Sequence, residues 1–471
     1  MDRKIYKIKD LKNLDIKDVR ELYEKFVNPA QSNAIKSFGF GQELADYAIG
    51  QWIYLKDGSK ILDFSGGYGV LTHGHNHPRI IEARLNFQNQ NKMEIHKNYL
   101  SQYTAALSSN IANLLPGDLN KVYLPNSGAE ANEGAIKIAY KYHNGKKKYL
   151  LHTDISFHGK TLGAGSISSS PESNFKFPGL ENIDNFKYGD LSSLKEKIEK
   201  YKNNIYAIIV EPFSASSMNF LSEEFLLNLR NICDKEDILL IFDEVFTGWA
   251  KTGELFYFLY HKNLIPDILT FSKSFGGGKA SISGYVVRDK LFKKSYDSLQ
   301  DFNLHSTTYN AFGEENVTAL EAINIILEEN YCDKAKKIEQ KLKPELIKLK
   351  KKYPKIIKEI KGVGALQGIR LSTESLLTTQ LAKYIPMVNL NNSRFIEKVC
   401  YASIINSLYT DSKILSAFSQ NKEICLWISP PLVVEMSDID YFIAALDKTL
   451  KKGLNRLAIE LFNSKVFSLF T

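Results

Sequence analysis

Cysteine is scarce in this sequence of 471 residues, and long apolar runs, repeats and low-complexity linkers are lacking. The four cysteines, Cys233, Cys332, Cys400 and Cys425, are widely spaced and form no Cys-x-x-Cys pair. This spacing argues against a disulfide framework or a zinc site and is typical of a reducing cytosol. We therefore predict a cytoplasmic protein.

No window is apolar over the length that a membrane span needs, and the first ten residues lack the apolar core of a secretory signal. The formal charge of +8 comes from a lysine-rich surface. Its runs at residues 146–148 and 348–352 lack the arginine and aromatic pattern that reads nucleic acid. We expect neither a membrane span nor a nucleic-acid partner.

Three histidines stand close together at His73, His75 and His77 and resemble a metal cluster at first sight. Their alternate spacing in a loop that ends at Pro78 favours a structural turn instead. We therefore expect no metal.

Lys273 is the most informative residue that is present. It follows the apolar stretch 267–271 and precedes the glycine-rich turn 276–278. This arrangement holds an amine at the edge of a sheet with little side-chain crowding, which suits Schiff-base formation with a carbonyl. An ordinary loop lysine is the alternative.

A candidate phosphate site precedes Lys273 in the chain. Ser127, Gly128 and Ala129 follow an extended segment and lead into a helical run at 134–142. The free N–H groups and the positive dipole end of a helix bind anions, and small residues let a phosphate approach the backbone. The alternative is an ordinary capping box between Ser127 and Glu130.

Two apolar runs end in carboxylates. Residues 205–210 lead into Glu211, and residues 238–242 lead into Asp243. Such runs are typical of strands buried on both faces of a parallel sheet, and ligands bind beyond the carboxyl ends of these strands. A buried Asp243 there needs a cationic partner, such as a protonated pyridine nitrogen. An N-cap or a structural ion pair is the alternative for each acid.

These motifs together resemble the class III (omega) aminotransferases of the fold type I pyridoxal-phosphate family. The resemblance covers most of the chain from about residue 30 to Pro431. The motifs that carry it are, in chain order, Ser127-Gly128-Ala129, Phe157-His158-Gly159, Glu211-Pro212, Asp243-Glu244-Val245, Lys273 and Thr308.

The resemblance implies a role for each motif. Lys273 would bind the cofactor aldehyde and move the substrate proton, Asp243 would pair with the pyridine nitrogen, and Glu211 would position side chains over the cofactor; these three are the catalytic candidates. Thr308 matches a threonine that reaches the phosphate of the neighbouring subunit, which implies a homodimer with shared sites. The full set of cofactor-binding candidates is Ser127, Gly128, Ala129, Phe157, His158, Glu211, Asp243, Val245, Phe246, Lys273 and Thr308.

Three positions depart from the family pattern. Phe246 stands where the family has a glutamine that touches the cofactor, and Lys251 replaces an arginine. Trp427 stands where an arginine usually grips the substrate carboxylate, and an indole cannot form that two-pronged salt bridge. Either another cation, such as Arg370 or Arg394, supplies the grip, or one substrate is not held as an ordinary α-amino acid.

Tyr68 and Trp427 are the candidate substrate-binding residues. The segment 372–422 is longer than the family usually has there and contains many aromatic residues, among them Tyr384 and Phe418. It forms either an apolar wall for a larger or lipid-like amine, or ordinary core and dimer interface.

Apolar strands alternate with amphipathic helices from about residue 80 to 320, which predicts an α/β fold with a mostly parallel sheet. The resemblance implies fold type I, with a sheet of the seven-stranded type flanked by helices. Residues 1–60 would form an N-terminal arm and part of a small domain, residues 61–325 the large cofactor domain, and residues 326–471 a small C-terminal α+β domain. We also expect a hairpin around Asp57-Gly58 and helices at 11–27, 318–329, 334–352 and 438–453.

We expect a pyridoxal-phosphate-dependent aminotransferase. It would move an amino group by a ping-pong mechanism from a terminal amine or an amino acid to an aldehyde or 2-oxo acid. An aminomutase or decarboxylase would use the same lysine, phosphate turn and aspartate. A non-catalytic partner protein with this fold is the alternative from another class, against which the intact Lys273, Asp243 and Glu211 argue.

Overall fold

The computed structural model describes residues 5–94, 97–169, 178–372, 393–419 and 421–463. Within these residues, no helix has both the length and the apolar character that a membrane crossing requires. The strands are β1 (Ala45–Ile49), β2 (Trp52–Leu55), β3 (Lys60–Asp63), β4 (Leu119–Tyr123), β5 (Tyr149–Thr153), β6 (Ile183–Phe186), β7 (Ile205–Val210), β8 (Leu239–Asp243), β9 (Ile268–Phe271), β10 (Gly284–Arg288), β11 (Ile357–Val363), β12 (Leu366–Leu371), β13 (Ile414–Leu415), β14 (Ala417–Phe418) and β15 (Leu426–Ile428).

The helices vary from single turns to six turns. They are α1 (Ile8–Leu11), α2 (Ile16–Phe26), α3 (Pro29–Ser37), α4 (Gly66–Gly69), α5 (Pro78–Asn89), α6 (Gln102–Asn113), α7 (Gly128–Tyr142), α8 (Leu162–Ser166), α9 (Leu191–Lys200), α10 (Glu223–Lys235), α11 (Asp289–Ser295), α12 (Gly313–Glu328), α13 (Tyr331–Lys352), α14 (Ser393–Ser412), α15 (Met436–Lys451) and α16 (Leu454–Asn463).

The largest sheet has seven strands in the order β4-β10-β9-β8-β7-β5-β6. Its strands β6, β5, β7, β8 and β9 pair in parallel, whereas β10 is antiparallel to both of its neighbours. Every residue of β7 and β8 is buried, because these apolar strands are covered on both faces. The predicted α/β fold with a mostly parallel sheet is confirmed.

Helix α7 covers one face of this sheet. Along β8, Leu239 and Ile241 pack toward α7, whereas Leu240 and Phe242 join the larger core on the other face. Alternate residues of a strand point to opposite faces, so an uninterrupted apolar run fills both cores. The strand ends are then the places where polar side chains remain.

Two smaller sheets join distant parts of the chain. The hairpin predicted around Asp57-Gly58 is present as β2 and β3, and β3 also pairs in parallel with β13, with Leu62 opposite Ile414. The third sheet, β11-β12-β15-β14, is antiparallel and contains Trp427 on β15. The proposed domain limits at residues 60 and 325 stay predictions.

The N-terminal helix differs from the expected range 11–27. Asp15 caps α2 by accepting the N–H of Asp18 at 2.8 Å, so α2 begins at Ile16, while Leu11 ends the separate helix α1. The helices expected at 318–329, 334–352 and 438–453 correspond to α12, α13 and α15 within a few residues at each end.

Candidate active site

Four neighbouring strands of the large sheet end at one cavity of about 500 Å³. Lys273 follows β9, Asp243 ends β8 and Glu211 follows β7. The turn that contains Phe157 and His158 follows β5. Because parallel strands direct their carboxyl ends to the same edge, the topology gathers these five predicted residues.

Lys273 presents its amine under backbone strain. Its φ of 53° lies in the left-handed region, which costs a non-glycine residue about 1–3 kcal/mol. Nζ donates a hydrogen bond to the carbonyl oxygen of Tyr68 at 2.9 Å and lies 5.3 Å from the ring centroid of Phe246. Burial lowers the pKa of this amine to about 8, against the raising effect of Asp243 and Glu211. The amine is thus closer to its nucleophilic, neutral form than an exposed lysine.

Asp243 is buried and held by three donors. Oδ2 accepts hydrogen bonds from Nδ2 of Asn132 and from Nδ1 of His158, each at 2.7 Å. Oδ1 accepts the backbone N–H of Val245 at 2.9 Å. These donors stabilise a carboxylate that faces the cavity, where it can pair with a cationic ring nitrogen.

Asn132 was assigned no role from the sequence. Its Nδ2 also donates to the carbonyl oxygen of His158 at 2.8 Å, and its Oδ1 accepts the hydroxyl of Thr270 at 2.7 Å. It therefore fixes Asp243 relative to β9, through Thr270, and relative to the turn that follows β5, through His158. The available signal was a polar residue on the alanine- and glycine-rich, buried face of α7.

Glu211 organises the backbone around the aromatic turn. Oε1 accepts the N–H of Phe157 at 2.8 Å, and Oε2 accepts the N–H of Ala215 at 3.0 Å. Burial raises the pKa of this carboxyl group. The ring of Phe157 lies at the cavity, so Glu211 fixes the backbone that presents this ring.

The capping box at the start of α7 is present. Oγ of Ser127 accepts the N–H of Glu130 at 3.3 Å, and the Glu130 carboxylate accepts the N–H groups of Asn126 and Ser127. The Ser127 hydroxyl is exposed and keeps its own hydrogen for an anion. Capping and anion binding are therefore compatible at this residue.

Gly128 and Ala129 line the cavity. A Cβ atom at Gly128 would lie only 2.7 Å from Cγ1 of Val245, so the helix start and Val245 can approach this closely only with glycine. The first-turn N–H groups of α7 have no intrahelical acceptor. They point out of the N-terminal end of the helix, which is the end that attracts anions.

Aromatic rings line the other part of the cavity. The ring centroid of Trp427 lies 5.4 Å from that of Phe246 and 5.9 Å from that of Tyr68, and Phe418 lines the cavity nearby. The buried Nε1 of Trp427 has no hydrogen-bond partner in the described part of the chain. Lys160 is an exposed cation that lines the cavity.

Neither alternative arginine lines this cavity. Arg370 pairs with Glu423 at 3.8 Å, and Arg394 donates to the carbonyl oxygen of Asn421 at 2.8 Å. Asn421 itself lines the cavity, together with Ser216 and Ser419, none of which the sequence indicated.

The described part of the long segment 372–422 contributes Phe418, Ser419 and Asn421 to the cavity lining. Tyr401 and Leu408 of the same segment belong to the core. Tyr384, the one aromatic residue of 373–392, lies outside the described residues.

Thr308 is exposed and lies outside the cavity of its own chain. The adjacent Thr307 donates its hydroxyl to Oδ1 of Asn126 at 2.8 Å, and Asn126 donates to the carbonyl oxygen of Tyr309 at 2.9 Å. The loop at residues 307–309 is therefore hydrogen-bonded to Asn126, which precedes the candidate phosphate-binding turn.

The fold and this geometry define a class of enzyme, in which a helix N-terminus, a buried carboxylate and a buried lysine surround one cavity. The sequence profile of the aminotransferase class-III family matches residues 43–450, and the chain belongs to this family. It is a pyridoxal-phosphate-dependent aminotransferase, as predicted.

Solved structures of transaminases share the fold. A transaminase from the marine bacterium Virgibacillus has a TM-score of 0.80 and 22% identity over 94% of this chain and 99% of its own. The ornithine aminotransferase from Toxoplasma gondii, described with partial occupancy of pyridoxal phosphate, has a TM-score of 0.78 and 22% identity over 98% and 100%. An omega-transaminase from Thermomicrobium roseum has a TM-score of 0.76 and 23% identity over 88% and 93%.

The residues present fit pyridoxal phosphate. The bare Cα of Gly128 lets the start of α7 pack closely against Val245, that helix start offers N–H groups to a phosphate, and Asp243 offers a carboxylate to a protonated ring nitrogen. Phe157 and Val245 both line the cavity, and each offers an apolar side chain against which a flat ring can pack.

Proposed function

We propose that this aminotransferase takes the amino group from a primary amine whose neighbouring atoms are apolar and passes it to an aldehyde or 2-oxo acid. The observation that carries the proposal is Trp427, whose ring lies 5.4 Å from that of Phe246, while the Lys273 amine lies 5.3 Å from the same Phe246 ring. A carboxylate beside the reacting amine would meet these rings instead of a guanidinium, and burying an unpaired carboxylate is unfavourable.

The cations around the cavity support a terminal amine donor. Among the described residues that line it, the lysines are Lys160 and the reacting Lys273, and no arginine is present. Lys160 is exposed, so a carboxylate at the far end of a donor or acceptor can pair with it. An amine group with apolar neighbours then lies toward Lys273.

Lys273 is proposed as the nucleophile and proton carrier. Its lowered pKa favours the neutral amine that attacks a carbonyl, and the same Nζ then removes and returns the proton on the substrate carbon that bears nitrogen. Pyridoxal phosphate, when bound, supplies the aldehyde and an electron-withdrawing ring.

The remaining proposed roles are binding and orientation. The N–H groups of Gly128 and Ala129, with the Ser127 hydroxyl, bind the phosphate, and Asp243 keeps the ring nitrogen protonated. His158 and Asn132 hold Asp243 in place. Phe157, Val245 and Phe246 contact the ring, Glu211 fixes the Phe157 backbone, and Tyr68 and Trp427 contact the substrate.

The homodimer with shared sites is also a proposal, with Thr308 reaching the phosphate of the partner subunit. It is supported by exposed apolar side chains near this loop: Met93, Leu100 and Phe302 line one surface cavity that Asn310 also lines. Cytoplasmic location stays a prediction, with which the four unpaired thiols agree.

The donor class can be tested with Trp427→Arg and Trp427→Phe. The visible absorption of the cofactor bound at Lys273 would be titrated with a long-chain primary amine, putrescine, ornithine, alanine and glutamate. We expect the wild type and Trp427→Phe to respond to the long-chain amine at similar concentrations. Because Trp427→Arg loses apolar contact, it should need about 10-fold more of that amine and less alanine or glutamate.

A wild type that responds to alanine at lower concentration than to every terminal amine would overturn the proposed donor class. Loss of the absorption in Lys273→Ala, with its persistence in both Trp427 variants, is the control that the cofactor is bound where proposed.

A further inference from the structure

Lys251 is a buried lysine without a carboxylate partner in the described part of the chain. Its side chain is 3% exposed. Nζ donates to the carbonyl oxygen of Gly248 at 2.7 Å and to the hydroxyl of Ser274 at 2.5 Å. Buried lysines are normally paired with an acid, so this arrangement needs an explanation.

The hydrogen bonds of Lys251 match an uncharged amine. A neutral amine has two N–H donors, and both have acceptors here. An ammonium group would bring a third N–H into the interior, where an unsatisfied donor is unfavourable.

The Ser274 hydroxyl links Lys251 to the active site. It donates to the carbonyl oxygen of Gly69 at 2.9 Å and also contacts the Thr72 hydroxyl. The residue before Gly69 is Tyr68, whose carbonyl oxygen accepts the Lys273 amine at 2.9 Å. One turn of backbone is therefore held by Lys273 on one side and by Lys251, through Ser274, on the other.

Unfavourable backbone conformations occur at each end of this link. Trp249 and Ala250, which precede Lys251, have φ of 69° and 75°, and Tyr68 and Lys273 have φ of 58° and 53°. Non-glycine residues are kept in this region when the surrounding structure requires it, and such residues cluster at functional sites. The strained positions thus coincide with the link between the two lysines.

The titratable groups that face Lys251 are Lys273, Glu244 and His73. Burial first, and then the charge of Lys273, hold the pKa of the Lys251 amine well below its usual range, against the influence of Glu244. The Glu244 carboxylate is directed elsewhere, because it accepts the N–H groups of Tyr257 and Phe258.

We propose that Lys251 is a positioning residue that acts as an uncharged double donor and holds the Tyr68–Gly69 turn, and through it the Lys273 amine, in place. The proposal rests on the role of Lys273 stated above. It assigns to Lys251 hydrogen bonding rather than charge.

The test uses holoenzyme variants Lys251→Met, Lys251→Arg and Ser274→Ala. Kinetic constants would be measured together with the pH titration of the visible absorption of the Lys273-bound cofactor. Lys251→Met removes both donors, so kcat should fall about 10-fold or more with a smaller change in KM. Its titration midpoint should not rise, because no positive charge has been removed.

Lys251→Arg introduces a permanent charge and should lower the titration midpoint by about one unit. Ser274→Ala breaks the link by removing the hydroxyl, while the Lys251 side chain itself is unchanged. Its effect on kcat should resemble that of Lys251→Met, and the double variant should lose little more than either single variant.

A midpoint that rises in Lys251→Met would show that Lys251 is charged and would overturn the proposal, as would a kcat equal to that of the wild type. Additive losses in the double variant would overturn the link through Ser274. Persistence of the absorption in Lys273→Ala would instead contradict the proposed function, so the two failures are distinguishable.

Discussion

The Lys273 amine is set apart from the many surface lysines by burial, which lowers its pKa to about 8. Only the neutral amine attacks an aldehyde, so we expect apoenzyme to capture pyridoxal phosphate at a rate that rises with pH to a midpoint near 8. Stopped-flow absorbance across a pH series would measure it. Lys273→Ala should show no such phase, and a midpoint above pH 10 would mean that the amine is fully hydrated.

Asp243 is the second residue whose charge matters. In Asp243→Asn the donors Asn132 and His158 would meet an amide, and a cationic ring nitrogen would lose its partner. Removing one partner of a buried pair costs about 3–5 kcal/mol, so kcat should fall roughly 10²–10⁴-fold. Steady-state kinetics at saturating cofactor would measure this. Glu244→Gln, in the next residue, is the matched control and should affect stability more than kcat.

The residues at strand ends were predictable from sequence, whereas several of their partners were not. Lys273, Asp243 and Glu211 each follow an apolar run, and such a run locates the end of a strand. Asn132 lies within a helix, and its meaning depends on which strands lie beneath that helix. Ser419 and Asn421 reach the cavity because β14 and β15 join the sheet that contains β12, a pairing between distant segments with no local signal.

At the scale of elements, the contact between the start of α7 and Val245 should control cofactor affinity. Gly128→Ala would place a Cβ atom 2.7 Å from Val245 Cγ1. This clash would push the start of α7 away from Val245 and displace the N–H groups that we propose bind the phosphate. We expect the Kd for pyridoxal phosphate, measured by absorbance titration, to rise about 10-fold or more, in line with overpacking costs of about 1–3 kcal/mol.

The same contact supplies its own controls. Gly165→Ala, where the nearest atom to an added Cβ lies at 3.8 Å, should leave the Kd unchanged. Val245→Ala removes the obstructing methyl groups, so Gly128→Ala combined with Val245→Ala should bind more tightly than Gly128→Ala alone. A Kd for the Gly128→Ala single variant equal to that of the wild type would contradict the proposed phosphate site.

At the scale of the whole molecule, the proposed shared site predicts complementation between inactive variants. Thr308→Asp would place a negative charge against the phosphate bound in the partner subunit. Lys273→Ala would remove the nucleophile from the site of its own subunit. In a refolded equal mixture, half of the dimers are mixed and each has one intact site, so about a quarter of the wild-type activity should return.

Sedimentation of the same samples would measure their oligomeric state. The absence of recovered activity in mixed dimers, despite exchange of subunits, would place Thr308 outside the partner's site. A chain that sediments as a monomer would rule out the shared site altogether.

The parallel pairing of β3 with β13 has a consequence for biosynthesis. Leu62 is translated 352 residues before its strand partner Ile414. Until then, the outer edge of β3 lacks the partner that fills it in the finished protein, and such edges recruit other chains. Stalled or truncated translation products that stop before Ile414 should therefore be bound by chaperones, while the complete chain closes this edge itself.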